Sequence, residues 1–146
     1  MNYSECNDGN LQSVSGIVTG KILKLEAGAL LNHDRTYEIT TFPAYLNDAF
    51  FIQVPHKEIP QGTFITITIR GTTTIYVGFD PSDSGGFEQS LSLAGFSKEV
   101  GQISTTVRNL KEIYSINVNT ATSITLPVTT TSQTVMLILA KCSSEG

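Results

Sequence analysis

The most constraining feature of this sequence is a strict alternation of isoleucine with threonine at residues 63–70. The segment reads TFITITIR, so three isoleucines share one face of an extended strand and the threonines between them share the other. A second alternating run at 74–79 follows Gly71 and Thr72. A period of two in β-branched residues is typical of half-buried strands, and the pair of runs predicts a β-hairpin over residues 63–79.

Short segments of the same kind recur along the chain and are separated by Gly, Pro, Asn and Asp. Further strands are predicted at 17–26, 35–40, 50–54, 102–107, 112–118, 123–126 and 135–141. Helix is limited to single turns at 43–47 and 87–94. We therefore predict an all-β fold, a two-sheet antiparallel β-sandwich or jelly roll of about nine strands. It forms one domain over residues 1–146, with a core over about residues 11–142.

The strand at 135–141 is apolar on both faces, which predicts a position in the centre of a sheet. Side chains expected to point into the core are Ile65, Ile67, Ile69, Ile75, Val77, Leu137 and Leu139.

The two cysteines lie almost at the two ends of the chain. Cys6 and Cys142 have no other cysteine to pair with, and both stand in polar segments where a buried thiol is unusual. We predict that they form a disulfide that ties the first and last strands together. Such a bond implies an extracellular or secreted protein.

Composition excludes several partners. Charged residues make up 15% of the chain and the net charge is −4, with no cluster of Lys and Arg for nucleic-acid phosphates. The longest apolar run, at 135–140, is far shorter than a membrane span. We expect no nucleic-acid partner and no transmembrane segment.

The order of several short motifs resembles a known class of module. The motifs are Asp34-Arg35-Thr36-Tyr37, Pro43-Ala44-Tyr45-Leu46, Ile75-Tyr76-Val77-Gly78-Phe79-Asp80 and Leu91-Ser92-Leu93-Ala94-Gly95-Phe96. In this order they are similar to β-sandwich modules attached to secreted polysaccharide-degrading enzymes and other extracellular glycan-associated proteins. The resemblance implies a β-sandwich that accompanies glycan chemistry.

The long polar loop after the Tyr76 strand is the predicted ligand-binding site. Asp80 and Asp83 are expected to accept hydrogen bonds from sugar hydroxyls, and Phe87 or Phe96 to offer a ring face. In the alternative interpretation, the phenylalanines of this loop fold back to cover one end of the core. Tyr45, Phe50 and Phe51 are further candidate rings. Tyr37, Tyr76 and Tyr114 lie inside strands and are expected to be structural.

Catalytic and metal motifs are weak. The segment Asp83-Ser84-Gly85-Gly86 resembles the nucleophile loop of trypsin-like proteases, but neither His33 nor His56 stands in the context of a catalytic histidine. The oxygen-rich loop at 80–85 is a low-probability calcium site without EF-hand spacing. We expect no cofactor and no enzymatic activity.

Three functions are left open. The favoured one is a non-catalytic extracellular recognition module that binds carbohydrate or acts in adhesion. The alternative is a structural unit that makes protein–protein contacts, including self-association, in an extracellular matrix or surface complex. A hydrolase is the third.

Overall fold

The computed structural model describes residues 11–15, 21–30, 36–53, 64–69, 71–79, 91–106, 109–118, 122–127 and 136–142. Strands make up most of this part of the chain. The strands are β1 (Leu11–Ser15), β2 (Lys21–Lys24), β3 (Ile39–Thr41), β4 (Phe50–Gln53), β5 (Phe64–Ile69), β6 (Thr73–Phe79), β7 (Ser97–Glu99), β8 (Ile103–Thr105), β9 (Asn109–Leu110), β10 (Glu112–Val118), β11 (Thr122–Pro127) and β12 (Met136–Cys142). A short 3₁₀ helix spans Ala44–Leu46. None of the helical segments described here is long and apolar enough to cross a bilayer.

The described strands form one large sheet and two small ones, and every pairing is antiparallel. The large sheet has six strands in the order β2-β4-β12-β6-β10-β7. The small sheets have the orders β1-β5-β11 and β3-β8-β9. β12 lies between β4 and β6, which confirms the predicted central position of the strand that is apolar on both faces.

The six-stranded sheet buries apolar side chains on both of its faces, because successive residues of a strand point in opposite directions. Ile138 and Ala140 of β12 pack with Ile67 and Ile69 of β5 in one core cluster. Leu137 and Leu139, which alternate with them, belong to a second cluster that includes residues of β3, β8 and β9. The large sheet is therefore covered by one small sheet on each face.

The predicted all-β antiparallel sandwich is confirmed, but the strand count and one connection differ. There are twelve described strands where about nine were predicted. The strands that were not predicted are β1, β7 and β9. β7 and β9 have three and two residues, which is too short for a period of two to be recognised, and β1 is mostly polar.

The predicted hairpin over residues 63–79 is wrong. β5 pairs with β1 and β11, whereas β6 pairs with β10 and β12, so the two strands lie in different sheets. Their isoleucines face the same core from opposite sides. The Thr73 hydroxyl donates a 2.7 Å hydrogen bond to the Gly71 carbonyl at the point where the chain crosses between the layers.

The predicted core residues are confirmed wherever their side chains are described. Ile67, Ile69, Ile75, Val77, Leu137 and Leu139 are all buried, while the side chain of Ile65 lies outside the described set. Cys142 ends β12, opposite Thr73 in the register, and is not a free thiol. Cys6 lies outside the described residues, and its pairing with Cys142 stays a prediction.

Candidate functional site

Only one of the four predicted ligand-binding residues belongs to the described part of the chain. Asp80, Asp83 and Phe87 lie outside it. Phe96 is 5% exposed and packs in the same core cluster as Ile67 and Phe79. For Phe96 the structure supports the alternative interpretation, in which the ring covers the end of the core and is not offered to a ligand.

Two tyrosines stack on the face of the six-stranded sheet that also carries Leu137 and Leu139. The ring centroids of Tyr45 and Tyr76 are 5.7 Å apart, with an interplanar angle of 27°. Tyr76 is on this face because its neighbours Ile75 and Val77 point into the opposite core. Both tyrosines are half-buried, so part of each ring is accessible.

The position of Tyr45 is fixed from both ends of the residue. Its hydroxyl donates a 2.6 Å hydrogen bond to the Val100 carbonyl. Its own carbonyl accepts a 2.9 Å hydrogen bond from Lys141 Nζ. Tyr45 lies in the 3₁₀ helix that begins after Pro43, and these two bonds hold that turn against the sheet.

Polar side chains border the tyrosine pair. Ser115 is opposite Tyr76 in the register, and its hydroxyl donates a 2.5 Å hydrogen bond to Glu99 Oε2. Thr74 donates a 2.7 Å hydrogen bond from its hydroxyl to Asn117 Oδ1. We call this surface the tyrosine face; it consists of Tyr45, Thr74, Tyr76, Glu99, Ser115, Asn117 and Lys141.

The comparisons with known proteins show the fold. No family model matches this chain, and no curated protein matches it significantly. Among solved structures, a β-glucuronidase from glycoside hydrolase family 2 is similar over 88% of this chain, with a TM-score of 0.68 and 12% identity. The matched region is 14% of that chain. In that β-glucuronidase, a β-domain of this architecture is therefore one part of a much longer chain.

Both phenols on the tyrosine face are held in the neutral form. Burial, and after it the nearby charge of Glu99 and the Tyr76 phenol, raises the pKa of Tyr45 to about 12. Burial and Glu99 also raise the pKa of Tyr76. A phenol that resists ionisation is a poor nucleophile and a poor base, but it remains a good hydrogen-bond donor.

The raised pKa of Tyr45 predicts a loss of stability in alkali. Because the pKa lies above the value of 10.0 for an unperturbed tyrosine, the unfolded chain releases this proton first. The contribution of the Tyr45 phenol to the free energy of unfolding is then fully present below pH 10 and is lost as the pH rises towards 12. We expect the free energy of unfolding to fall less steeply over this range in Tyr45→Phe than in the wild type, as measured by urea unfolding at several pH values. If the free energy of unfolding falls equally steeply with pH in Tyr45→Phe and in the wild type, the raised pKa of Tyr45 is contradicted.

The described residues offer no conventional metal site. They contain no group of three or more His, Cys, Asp or Glu side chains placed to hold an ion. The loop at 80–85, where calcium was considered, lies outside the described residues.

Sequence reasoning identified Tyr45 as a candidate ring but treated Tyr76 as structural. The alternation in β6 carries the missed signal, since the half-buried Thr74 and Tyr76 alternate with the buried Ile75 and Val77. A tyrosine on the less buried side of a strand indicates that this side is also used, either for packing against another segment or for binding. Glu99 and Ser115 carry no such local signal, because only the β10–β7 pairing brings them to the same face.

Proposed function

We propose that this chain is a non-catalytic, extracellular recognition module that binds carbohydrate on the tyrosine face. The observation that carries the proposal is the stacked, partly buried Tyr45–Tyr76 pair. Aromatic rings pack against the apolar faces of sugar rings, and nearby amide, hydroxyl and carboxylate groups hydrogen-bond the sugar hydroxyls. The tyrosine face combines both kinds of group on one sheet.

Rigid placement also supports binding. Tyr76, Ser115 and Thr74 project from paired strands, and the two hydrogen bonds to Tyr45 fix its turn against them. Sites built on paired strands hold their geometry better than sites on loops, so less entropy is lost when a ligand binds.

A non-catalytic role fits the carboxylate arrangement of this face. Most glycosidases use two carboxylates that flank the scissile bond. On the tyrosine face as described, Glu99 supplies the single carboxylate, and it already accepts a hydrogen bond from Ser115. The structural neighbour is a glycoside hydrolase of which this chain matches a small part, which supports an accessory role beside catalysis.

Tyr114 provides a matched control for a binding test. It lies in β10 and its ring stacks on Phe79 with centroids 5.7 Å apart, on the opposite face of the same sheet. We expect Tyr76→Ala to weaken binding in a broad glycan screen by about tenfold or more, equivalent to ~1.4 kcal/mol. Tyr114→Ala should alter stability and leave affinity for glycan nearly unchanged.

Two results would contradict the proposal. One is equal loss of binding in the two variants at a temperature where both are folded. The other is a screen in which the wild type binds nothing, run with and without calcium. If Asp80→Ala with Asp83→Ala removes binding while Tyr76→Ala does not, the binding site is the loop and not the tyrosine face.

Assembly through protein–protein contacts is the second candidate. Leu93 and Val100 favour it, because these large apolar side chains are 83% and 82% exposed. The edges of the large sheet disfavour it, since β2 and β7 are short and contain Lys21, Lys24 and Lys98, and charged edge strands resist edge-to-edge pairing. Light scattering coupled to size exclusion distinguishes the candidates: a stable oligomer dissociated by Val100→Ser would favour assembly.

A further inference from the structure

The tyrosine face has a negative charge fixed beside its aromatic pair. Glu99 Oε2 accepts the 2.5 Å hydrogen bond from Ser115, which holds the carboxylate over β10 next to the strand of Tyr76. The charge of Glu99 raises the pKa of both Tyr45 and Tyr76. A ligand lying on these rings therefore experiences the same field as the phenols.

Lys141, the cation on this face, belongs to the end of the face opposite Glu99. Lys141 pairs with Thr74, and Glu99 pairs with Ile113, whose partner on β6 is Gly78. Three strand spacings and four residues along β6 separate the two positions, which amounts to roughly 19 Å between Cα atoms. Lys141 Nζ is in addition engaged with the Tyr45 carbonyl.

Of the other described lysines near this edge, Lys98 is neutralised on the opposite face, and Lys111 is exposed between β9 and β10. Lys98 Nζ lies 2.7 Å from Glu112 Oε1, and both residues alternate with Glu99 and Ile113 in the β7–β10 pairing. Between the tyrosine rings and Glu99 the described residues place hydroxyls and a carboxylate, and no ammonium or guanidinium group.

We propose that the tyrosine face takes a neutral, hydroxyl-rich sugar, and that Glu99 is the specificity-determining residue that excludes uronates and other anionic sugars. The inference rests on the proposed function. A neutral sugar donates hydroxyl hydrogen bonds to the carboxylate and accepts from the Tyr76 hydroxyl, which has no hydrogen-bond partner among the described residues. A uronate placed there brings a second negative charge beside the carboxylate of Glu99, and like charges repel each other.

The test uses matched probes that differ only in the group at C6. They are β-linked hexasaccharides of glucose, galactose and mannose, each in its neutral form and in the form oxidised at C6 to the uronate. We expect the wild type to bind at least one neutral hexasaccharide about tenfold or more tightly than its oxidised form. Glu99→Gln keeps a hydrogen-bond acceptor for Ser115 while removing the charge. It should reduce the ratio of the two affinities, neutral over oxidised, severalfold. Glu112→Gln removes one negative charge on the opposite face and should leave the ratio unchanged.

Raising the salt concentration gives a second readout that needs no variant. Screening weakens the repulsion, so the ratio should fall with added sodium chloride. Oxidised sugars that bind as tightly as neutral ones would overturn the inference and leave the proposed function standing. A ratio that Glu112→Gln alters as much as Glu99→Gln would also overturn it. Failure of all six hexasaccharides to bind would overturn the inference together with the proposed function.

Discussion

Replacing Phe51 with alanine is expected to lower the free energy of unfolding by about 3–5 kcal/mol, the range typical of a fully buried phenylalanine. Phe51 lies in β4 and is 0% exposed. Among the described residues it is one of the two largest fully buried side chains, and it packs in the cluster under β3, β8 and β9. Its removal costs the transfer free energy of the ring and also leaves a cavity that a rigid sheet cannot fill.

Chemical unfolding of Phe51→Ala against the wild type measures this loss. Leu93→Ala is the control, because that side chain is 83% exposed and its loss should change stability by about 0.5 kcal/mol or less. A loss below about 1 kcal/mol for Phe51→Ala would mean that the second core cluster contributes little to stability. The large sheet would then be supported mainly by its packing against β5.

The layers of the fold could be predicted from the sequence only where strands are long. The alternation in β5 and β6 and the apolar run of β12 indicate strands and their buried faces correctly. The pairing of β5 with β6 was wrong because alternation defines which face is buried and not which neighbour a strand takes. The Gly71-Thr72 link is compatible both with a hairpin turn within one sheet and with a connection between two sheets. The isoleucines of β5 and β6 pack in one core cluster, which is where the second arrangement becomes visible.

The candidate site was less predictable than the fold, for a physical reason. Glu99, Ser115 and Tyr76 come from three strands that are distant in sequence, and the β6–β10–β7 pairing alone makes them neighbours. For Phe96 the sequence suggested a ring available to a ligand, and the structure buries that ring. Its position after a Gly-containing loop resembles that of an exposed ring, but the turn at residues 91–95 directs it into the core.

The link between β7 and β8 depends on a glycine that touches the turn of Tyr45. Gly101 has a φ of +99°, and a Cβ added there would lie 2.8 Å from Pro43 Cγ. Gly101 also follows Val100, whose carbonyl accepts the hydrogen bond from the Tyr45 hydroxyl. The close approach of this link to Pro43 thus helps to set the position of the tyrosine ring.

Gly101→Ala is expected to reduce stability by about 2–4 kcal/mol, since a strained φ and a steric clash each cost on the order of 1–3 kcal/mol. Gly28→Ala separates the two causes. Gly28 has a similar φ of +93° but no atom within 4 Å of an added Cβ, so it should lose only the conformational part, about 1–2 kcal/mol. Urea unfolding of both variants gives the difference. Equal losses of stability would show that Pro43 moves aside without cost. If Gly101→Ala loses more stability than Gly28→Ala and also binds glycan more weakly, the contact between Gly101 and Pro43 positions Tyr45.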